Sequence, residues 1–279
     1  QTAIAGWRKI LALLELPVEV VEPSPGTTLP TDRALEVRVE GVTYRYGDGP
    51  IVLDDVWIQV PAGAHVAIVG ETGSGKTTFC KLLARLADPE AGRIVVGGVD
   101  LREISRGSRQ RSIRMVPQDG FLFDLSITEN VRAGRAEASD REVRAAFEEL
   151  GLGSWLESLP DGLDTRAGER GESLSVGERQ LVSLARAQIA DPGLLILDEA
   201  TSAVDPATER RISEALRRLA AGRTSVTIAH RLSTAEAADR IFVFHDGRVV
   251  EEGTHRELLE AEGTYAGLFA SWLGNVRTG

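Results

Sequence analysis

The fold of this chain is decided by residues 70–77, which read Gly70-Glu71-Thr72-Gly73-Ser74-Gly75-Lys76-Thr77. They match the pattern GxxxxGK[ST] and follow His65–Val69, an apolar segment typical of a buried β-strand. Glycines let the backbone N–H groups of such a loop surround phosphate oxygens, and the helix predicted over Thr77–Ala87 directs its positive end at the same place. Lys76 can then reach the β- and γ-phosphates, and Thr77 can bind Mg²⁺. The segment therefore predicts a nucleotide-binding site.

A second strand ends in two acids. Leu194–Leu197 is continuously apolar and is followed by Asp198 and Glu199. A buried anion needs a counter-charge, so an apolar strand that ends in two acids calls for an explanation, and in a P-loop fold this strand would lie beside the phosphate loop. Asp198 would then hold Mg²⁺ through water, and Glu199 would polarise the attacking water. The alternative is that both acids cap the turn at the end of the strand.

Composition excludes several other classes of protein. The 279 residues are 42% hydrophobic and carry a net charge of −10, which argues against a general nucleic-acid binder. The single cysteine, Cys80, excludes an internal disulfide and a multi-cysteine zinc site, and we predict that it packs in the core. No apolar run approaches the ~18 residues of a membrane span. The chain begins at Gln1 and its only methionine is Met115, so we interpret it as a domain excised from a longer protein.

The remaining sequence predicts strands alternating with helices, which implies a largely parallel sheet with an inserted helical part over residues 119–190. Residues 3–16 predict an amphipathic helix, and Pro17–Pro30 predicts an extended linker. Further strands are predicted at Leu35–Val39, Val42–Tyr46, Val52–Val60 and Thr224–Ala229, with a strand pair at Arg93–Val96 and Ser112–Pro117. Further helices are predicted at Arg141–Leu150 with Asp140 as cap, Gly177–Ala190, Pro206–Ala220 and residues 255–273. A hairpin is predicted around Asp246-Gly247.

The segment that lies between the phosphate loop and the acidic strand resembles a motif of a known family. Residues 174–180 read Leu174-Ser175-Val176-Gly177-Glu178-Arg179-Gln180, and a P-loop protein with such a segment resembles the ATP-binding cassette family, whose signature is LSGGQ. Further family motifs follow in order: Tyr46 resembles the aromatic residue that stacks on adenine, Gln118 the Q-loop glutamine, Ser202–Asp205 the D-loop and His230 the switch histidine.

The resemblance covers about residues 35–273 and implies an α/β fold: a P-loop NTPase (RecA-like) core with an antiparallel β subdomain and an inserted α-helical subdomain. It implies a helix and linker at 1–33 that end an upstream transmembrane domain, and a nucleotide-binding domain at 34–279. Two such domains, identical or paralogous, would bind head to tail around two Mg²⁺–ATP. The implied catalytic residues are Glu199, His230, Lys76 and Gln118. Those implied to bind nucleotide are Tyr46, Gly70, Glu71, Thr72, Gly73, Ser74, Gly75, Lys76, Thr77, Thr78, Ser175, Gly177, Glu178 and Asp205. Those implied to bind Mg²⁺ are Thr77, Gln118 and Asp198.

Three short segments resemble exporter-type cassettes: Thr165–Gly171, Ala229–Ser233 and Glu252–His255. The implied role is the ATPase engine of an exporter-fold transporter at the cytoplasmic face of a membrane, with no nucleic-acid partner. Residues 3–16 would then end the last transmembrane helix, or would simply dock on the domain. Hydrolysis would open the dimer, and residues 118–123 would transmit this movement to the membrane helices. Phe121, Leu122 and Phe123 would be the exposed docking residues.

The signature departs from the family pattern at two positions, and several alternative interpretations stay open. The signature has Val176 where glycine is usual and Glu178 where glutamine is usual, although Ser175 and Gly177 are kept. Tyr44 shares a strand face with Tyr46, so either could be the adenine-stacking residue. His230 could instead be a core histidine, and Gln118 a surface turn residue.

A DNA-repair or chromosome-organising cassette would insert long coiled coils after the phosphate loop, which this chain lacks. A translation-associated cassette protein would carry two cassettes.

Overall fold

The computed structural model describes residues 6–7, 20–30, 33–118, 120–198, 204–229 and 232–277. Within these ranges the strands are β1 (Val37–Arg45), β2 (Ile51–Val60), β3 (His65–Gly70), β4 (Ala91–Val96), β5 (Val99–Asp100), β6 (Ile113–Val116), β7 (Leu194–Asp198), β8 (Thr224–Ile228), β9 (Arg240–His245) and β10 (Arg248–Gly253). The α-helices are α1 (Lys76–Leu83), α2 (Arg106–Ser112), α3 (Ile127–Arg132), α4 (Asp140–Glu149), α5 (Gly153–Ser158), α6 (Val176–Ala190), α7 (Pro206–Ala220), α8 (Leu232–Glu236), α9 (His255–Glu260) and α10 (Thr264–Arg277). Apart from Gly6 and Trp7, the helix predicted over residues 3–16 lies outside the described residues.

The strands form two sheets. The smaller is antiparallel with the order β2-β1-β4-β5, and the larger has the order β10-β9-β3-β8-β7-β6. In the larger sheet only β10 runs antiparallel to its neighbour. The strands predicted as a pair around 93–96 and 112–117 belong to different sheets, so that pairing was wrong. In the larger sheet the acidic strand β7 is separated from β3 by β8.

The larger sheet is covered on both faces, which explains why its central strands β3 and β7 and the neighbouring β9 are mostly apolar and buried. Val66 and Ile68 of β3 pack in one cluster with Phe79 of α1 and with the antiparallel sheet. Ala67 and Val69, the alternate residues, face a second cluster built on the C-terminal helices around Tyr265. The phosphate-loop helix α1 is thereby held between the two sheets, and Cys80 is buried within it as predicted.

The inserted helical part has its own core. Leu181 and Leu184 of α6 pack with Val131 of α3, Phe147 of α4 and Trp155 of α5. Leu195 and Leu197 of β7 belong to the same cluster, so the helical part rests on the face of the sheet opposite α1.

Several predicted helix ends were wrong for local reasons. The N-cap of α4 is Ser139 and not Asp140, because Ser139 and Glu142 form a reciprocal capping box. Helix α1 ends at Leu83, and Arg85 follows in a left-handed conformation with φ of 50°. The C-terminal helix is two helices, since Glu262 at φ 52° separates α9 from α10.

Two strand predictions also change. The segments predicted at 35–39 and 42–46 form one strand, β1, in which Gly41 at φ 61° interrupts the register. Glu251 and Glu252 lie in β10. There Glu251 accepts a hydrogen bond from the Tyr265 N–H at the start of α10, and Glu252 pairs with Arg240.

The second half of the predicted linker packs on the domain. Thr27 exchanges backbone hydrogen bonds with Glu103 and Ser105, and Leu29 is buried in the core beside the antiparallel sheet. Glu22 pairs with Arg109 at 2.6 Å. Among the described residues no helix has the length and hydropathy needed to cross a membrane.

Candidate nucleotide-binding site

The phosphate loop connects β3 to α1 in a conformation that requires glycine. Gly73 and Gly75 have φ values of 88° and 100°. A Cβ added to Gly75 would also lie 2.8 Å from Leu53 Cδ2 and 2.9 Å from the Val52 carbonyl oxygen. The strand β2 therefore forms one wall of the loop, which the sequence alone did not indicate.

The loop presents a set of unpaired backbone donors. Within the described ranges no backbone or side-chain acceptor takes the N–H of Gly73, Gly75, Lys76 or Thr77. The last two belong to the first turn of α1, where N–H groups have no partner inside the helix. They line a cleft of about 260 Å³ together with Thr72 and Thr78. Such a cleft, at the positive end of a helix, suits phosphate oxygens.

Lys76 lies over the loop and supplies its positive charge. Its Nζ donates to the carbonyl oxygens of Gly70 at 2.8 Å and Glu71 at 2.7 Å. Burial lowers the pKa of Lys76, and the negative charges of Asp198 and Glu71 offset part of this shift. The electrostatic influence of Asp198 shows that the end of β7 approaches the loop although β8 lies between β7 and β3.

The predicted Mg²⁺ ligands have suitable chemistry. Thr77 is exposed and lines the cleft, Gln118 is exposed and Asp198 is half-buried, and each of the three carries a side-chain oxygen. Mg²⁺ prefers oxygen ligands, and usually takes only one or two carboxylates besides water and substrate phosphates. The described residues contain no cluster of three histidine, cysteine or acidic side chains, which would suit a different metal. The donor set therefore fits a magnesium ion shared with a bound phosphate.

The two tyrosines that could stack on adenine differ in how far their side chains are exposed. Tyr44 is inside β1 and only 8% exposed, whereas Tyr46 lies just beyond the strand and is 48% exposed. The two rings meet edge to face at 5.0 Å, and the Tyr46 hydroxyl is 3.1 Å from Thr78 Oγ1. Lys81 Nζ lies 5.8 Å from the Tyr46 ring centroid. Tyr46 thus presents an exposed ring beside the phosphate loop, and the buried ring of Tyr44 packs against it.

The signature segment begins helix α6. Ser175 is the N-cap, and it forms a capping box with Glu178. The Glu178 carboxylate accepts from the Ser175 N–H at 2.9 Å through one oxygen and from Trp155 Nε1 at 3.3 Å through the other. Burial alone raises the pKa of Glu178, but these hydrogen bonds hold it below its ordinary value. Trp155 is a partner that the sequence reasoning missed, because 23 residues separate it from Glu178.

The other signature residues divide between solvent and core. The Val176 side chain is 43% exposed, so it faces outward from the first turn. Gly177 is buried, and a Cβ there would overlap Thr208 Cγ2 and lie 2.8 Å from Val204 Cγ1. Asp205 caps α7 by accepting from the N–H groups of Ala207 and Thr208, each at 3.0 Å. The signature helix and the start of α7 are therefore packed closely together.

The predicted residues form two groups. Tyr46 lies beside the phosphate loop, with its hydroxyl 3.1 Å from Thr78 Oγ1, and Asp198 acts electrostatically on Lys76. Ser175 and Gly177, in contrast, lie at the start of α6 in the helical part. Across the described ranges, no hydrogen bond or ion pair joins the signature to residues 70–78. Glu199, Ser202, Ala203 and His230 lie outside the described residues, so their predicted roles remain predictions. Of the predicted docking residues, Phe121 and Phe123 are exposed, but Leu122 is fully buried in the helical core, and its prediction was wrong.

Comparison with known proteins identifies close relatives. A family model described as ABC transporter matches residues 53–202. The chain is 43% identical over 97% of its length to the uncharacterised ABC transporter ATP-binding protein YfiC of Bacillus subtilis, covering 44% of that protein. It is 47% identical over 96% of its length to an ATP-dependent lipid A-core flippase of Ralstonia nicotianae, covering 45% of it. The chain thus spans less than half the length of these curated relatives.

A solved structure shows the same fold. A bacterial Atm1-family ABC exporter with ATP bound is 37% identical to this chain and superposes with a TM-score of 0.86. The match covers 97% of this chain and 47% of that one. The α/β core, the antiparallel sheet and the helical insertion described above are all within the matched part.

Proposed function

The chain belongs to the ABC transporter family as its ATP-binding domain, and from this membership we propose that it is the ATP-hydrolysing motor of an exporter-fold transporter. The motor would act at the cytoplasmic face of a membrane, joined to a transmembrane domain. The relative named as an ATP-dependent lipid A-core flippase supports this proposal, because it is about twice as long as this chain and could carry a transmembrane domain beside the ATP-binding domain.

The observation that carries the proposal is the separation of the two half-sites. The phosphate loop presents donors without partners, and the exposed Ser175 lies at a helix N-terminus that, among the described residues, has no hydrogen bond or ion pair to that loop. Both features suit the negative charge of a triphosphate. We infer that two copies, identical or paralogous, bind head to tail, so that each ATP contacts the loop of one and the signature of the other.

Each residue then has a defined task in hydrolysis. The loop N–H groups and Lys76 bind the phosphates, and Tyr46 stacks on the adenine. Thr77, Gln118 and Asp198 would hold Mg²⁺, which when bound supplies positive charge to the β- and γ-phosphates. Glu199 polarises the attacking water, and His230 supports the γ-phosphate as charge develops on it. The exposed Phe121 and Phe123, which contact each other edge to face at 5.2 Å, would dock on the membrane domain.

The replacement Glu199→Gln tests the proposal. Glutamine has the shape of glutamate but cannot polarise water as strongly, so hydrolysis should fall sharply while ATP binding is retained. Removing a negative charge beside the triphosphate also reduces repulsion in the closed pair. The variant should therefore elute as a dimer with ATP and as a monomer with ADP in size-exclusion chromatography. Near-normal ATP turnover by this variant would refute the assignment of Glu199.

A further inference from the structure

A tight turn joins β9 to β10 beside the phosphate loop. Asp246 and Gly247 are the two residues between these strands, and their φ values are 45° and 77°. Two residues that both have positive φ are typical of a type I′ turn. Strand β9 runs parallel to β3, with Phe244 opposite Gly70. The turn and the phosphate loop therefore leave the sheet at the same edge.

Gly247 uses both of its backbone polar groups outside the hairpin. Its N–H donates to the Ser74 carbonyl oxygen at 3.2 Å, and its own carbonyl oxygen accepts from the Asp54 N–H at 2.9 Å. Within the described ranges the Ser74 carbonyl accepts no other backbone hydrogen bond. The next residue, Arg248, donates from Nε to the Asp54 carboxylate at 3.0 Å. Gly247 thus connects the phosphate loop, the edge strand β2 and the larger sheet.

The position of Gly247 requires glycine for a reason beyond the turn. Positive φ disfavours most side chains but does not forbid them, since Asp55 and Arg85 adopt it in this chain. At Gly247 an added Cβ would also lie 2.4 Å from the Val52 carbonyl oxygen. Gly222 has nearly the same φ, 76°, but an added Cβ there would meet no other residue within 4 Å. The close approach of β2 is therefore what excludes a side chain at Gly247.

The hydrogen bond to Ser74 fixes the direction of a phosphate donor. The Ser74 carbonyl and the Gly75 N–H belong to one peptide unit, which is planar and trans, so the two groups point in opposite directions. Because the carbonyl is directed at Gly247, the Gly75 N–H is directed away from the hairpin. Gly75 lines the phosphate cleft, and its N–H has no acceptor among the described residues. Without the bond, the conformational freedom of Gly75 would let this unit turn over.

We propose that Gly247 is a positioning residue for nucleotide binding, because its N–H holds the Ser74–Gly75 peptide unit with the Gly75 N–H directed at the phosphates. A donor that is already oriented binds an anion more tightly than one that must first be ordered. The hairpin therefore acts on the nucleotide through the loop and without touching it. This inference rests on the ATP-binding part of the proposed function.

The test compares this chain with Gly247→Ala and with Gly222→Ala as the matched control. Both replacements add one methyl group to a glycine of positive φ, but only the first meets the Val52 carbonyl. The Kd for ATP is measured by calorimetry at a temperature where circular dichroism shows all three proteins folded. The Kd should rise about tenfold or more in Gly247→Ala, which misdirects one hydrogen bond to a charged group, and stay within about twofold in Gly222→Ala.

Nuclear magnetic resonance can follow the peptide unit itself. Ser74-Gly75 is the only Ser-Gly dipeptide in the sequence, so cell-free labelling with carbonyl-¹³C serine and ¹⁵N glycine gives this unit a cross-peak of its own. In the wild type the Gly75 amide hydrogen should exchange rapidly without nucleotide and slowly with ATP. In Gly247→Ala saturating ATP should slow the exchange much less. A purely structural role for Gly247 would lower stability and leave this difference unchanged.

The Gly247 amide supplies a measurement that needs no variant. In the nucleotide-free wild type it should exchange far more slowly than the Gly222 amide, which has no acceptor among the described residues. If Gly247→Ala does not fold, this comparison decides, and equally rapid exchange of the two amides would overturn the inference. ATP binding by the wild type with an equal Kd in both variants would overturn this inference alone. No ATP binding by the wild type would overturn the proposed function as well.

Discussion

The replacement Glu178→Gln restores the residue usual in the family signature, yet we expect it to destabilise this protein. The glutamate uses both oxygens, one for the Ser175 N–H at 2.9 Å and one for Trp155 Nε1 at 3.3 Å. The two donors use different oxygens of Glu178, and glutamine in the same side-chain position would place its NH₂ group, which cannot accept, against one of them. Trp155 is 4% exposed, and its indole N–H would have no other acceptor among the described residues.

The expected cost follows from these contacts. Leaving one buried donor unpaired costs about 1–3 kcal/mol, and we expect the lower end because the Trp155 bond is long. Losing a negative charge at the N-terminus of α6 adds about 0.3–1 kcal/mol. The free energy of unfolding should therefore fall by about 1–2 kcal/mol, measured by urea denaturation followed by circular dichroism.

A double-mutant cycle isolates the Trp155 contribution. In a Trp155→Phe background no indole N–H remains, so Glu178→Gln should cost only the charge effect, and the coupling should be about 1 kcal/mol. A coupling near zero, or a Glu178→Gln variant as stable as the wild type, would refute the reasoning.

The pH dependence provides an independent check. The pKa of Glu178 is lowered in the folded state, so its charge stabilises the fold above the unfolded pKa near 4.5. That stabilisation is lost as the pH falls through the lower, folded pKa. The stability difference between wild type and Glu178→Gln should therefore be largest at neutral pH and should shrink in acid.

Three further predictions concern the nucleotide site and the linker. Tyr46→Ala should weaken ATP binding by about 1–3 kcal/mol in a titration, the range for a base stacked on an aromatic ring, with a similar loss for GTP; unchanged affinity would remove Tyr46 from the adenine site. Ser175→Arg should retain ATP binding to the monomer but abolish hydrolysis, whereas equal loss of both would contradict the shared site. Glu22→Gln breaks the ion pairs to Arg109 and Arg85 and should expose residues 20–30 to limited proteolysis, and a cleavage pattern identical to wild type would show that Thr27 and Leu29 suffice to hold the segment.

The parts of the site that could be predicted from the sequence depend on neighbouring residues. The phosphate loop was predictable because a strand, its glycines and the following helix are contiguous, and the structure places them as expected. The N-cap role of Ser175 follows the same rule, since Glu178 lies three residues away. Pro206–Ala220 was predicted with the observed bounds because Asp205 caps it and proline occupies its first position.

The parts that could not be predicted depend on distant packing. Nothing in the local pattern places β8 between β3 and β7, because strand order is set by how crossovers pack on the sheet. Tyr44 and Tyr46 are alike in the sequence, and they differ only because β1 ends at Arg45 and leaves the second ring outside the sheet. Leu122 lies between two exposed phenylalanines but turns into the helical core.

The acidic residue in the signature raises an electrostatic problem that the structure resolves. If two copies share an ATP as we propose, Glu178 would bring a negative charge to the side of the site where Ser175 meets the γ-phosphate. The carboxylate, however, points back to the Ser175 N–H and to Trp155, and the positive end of α6 balances much of its charge. Ser175 Oγ accepts from the Glu178 N–H at 3.3 Å, which leaves the hydroxyl hydrogen available to a phosphate oxygen. Glu178 therefore holds Ser175 at the N-cap through one oxygen, while Trp155 Nε1 engages the other oxygen and keeps the carboxylate turned away from the proposed phosphate position.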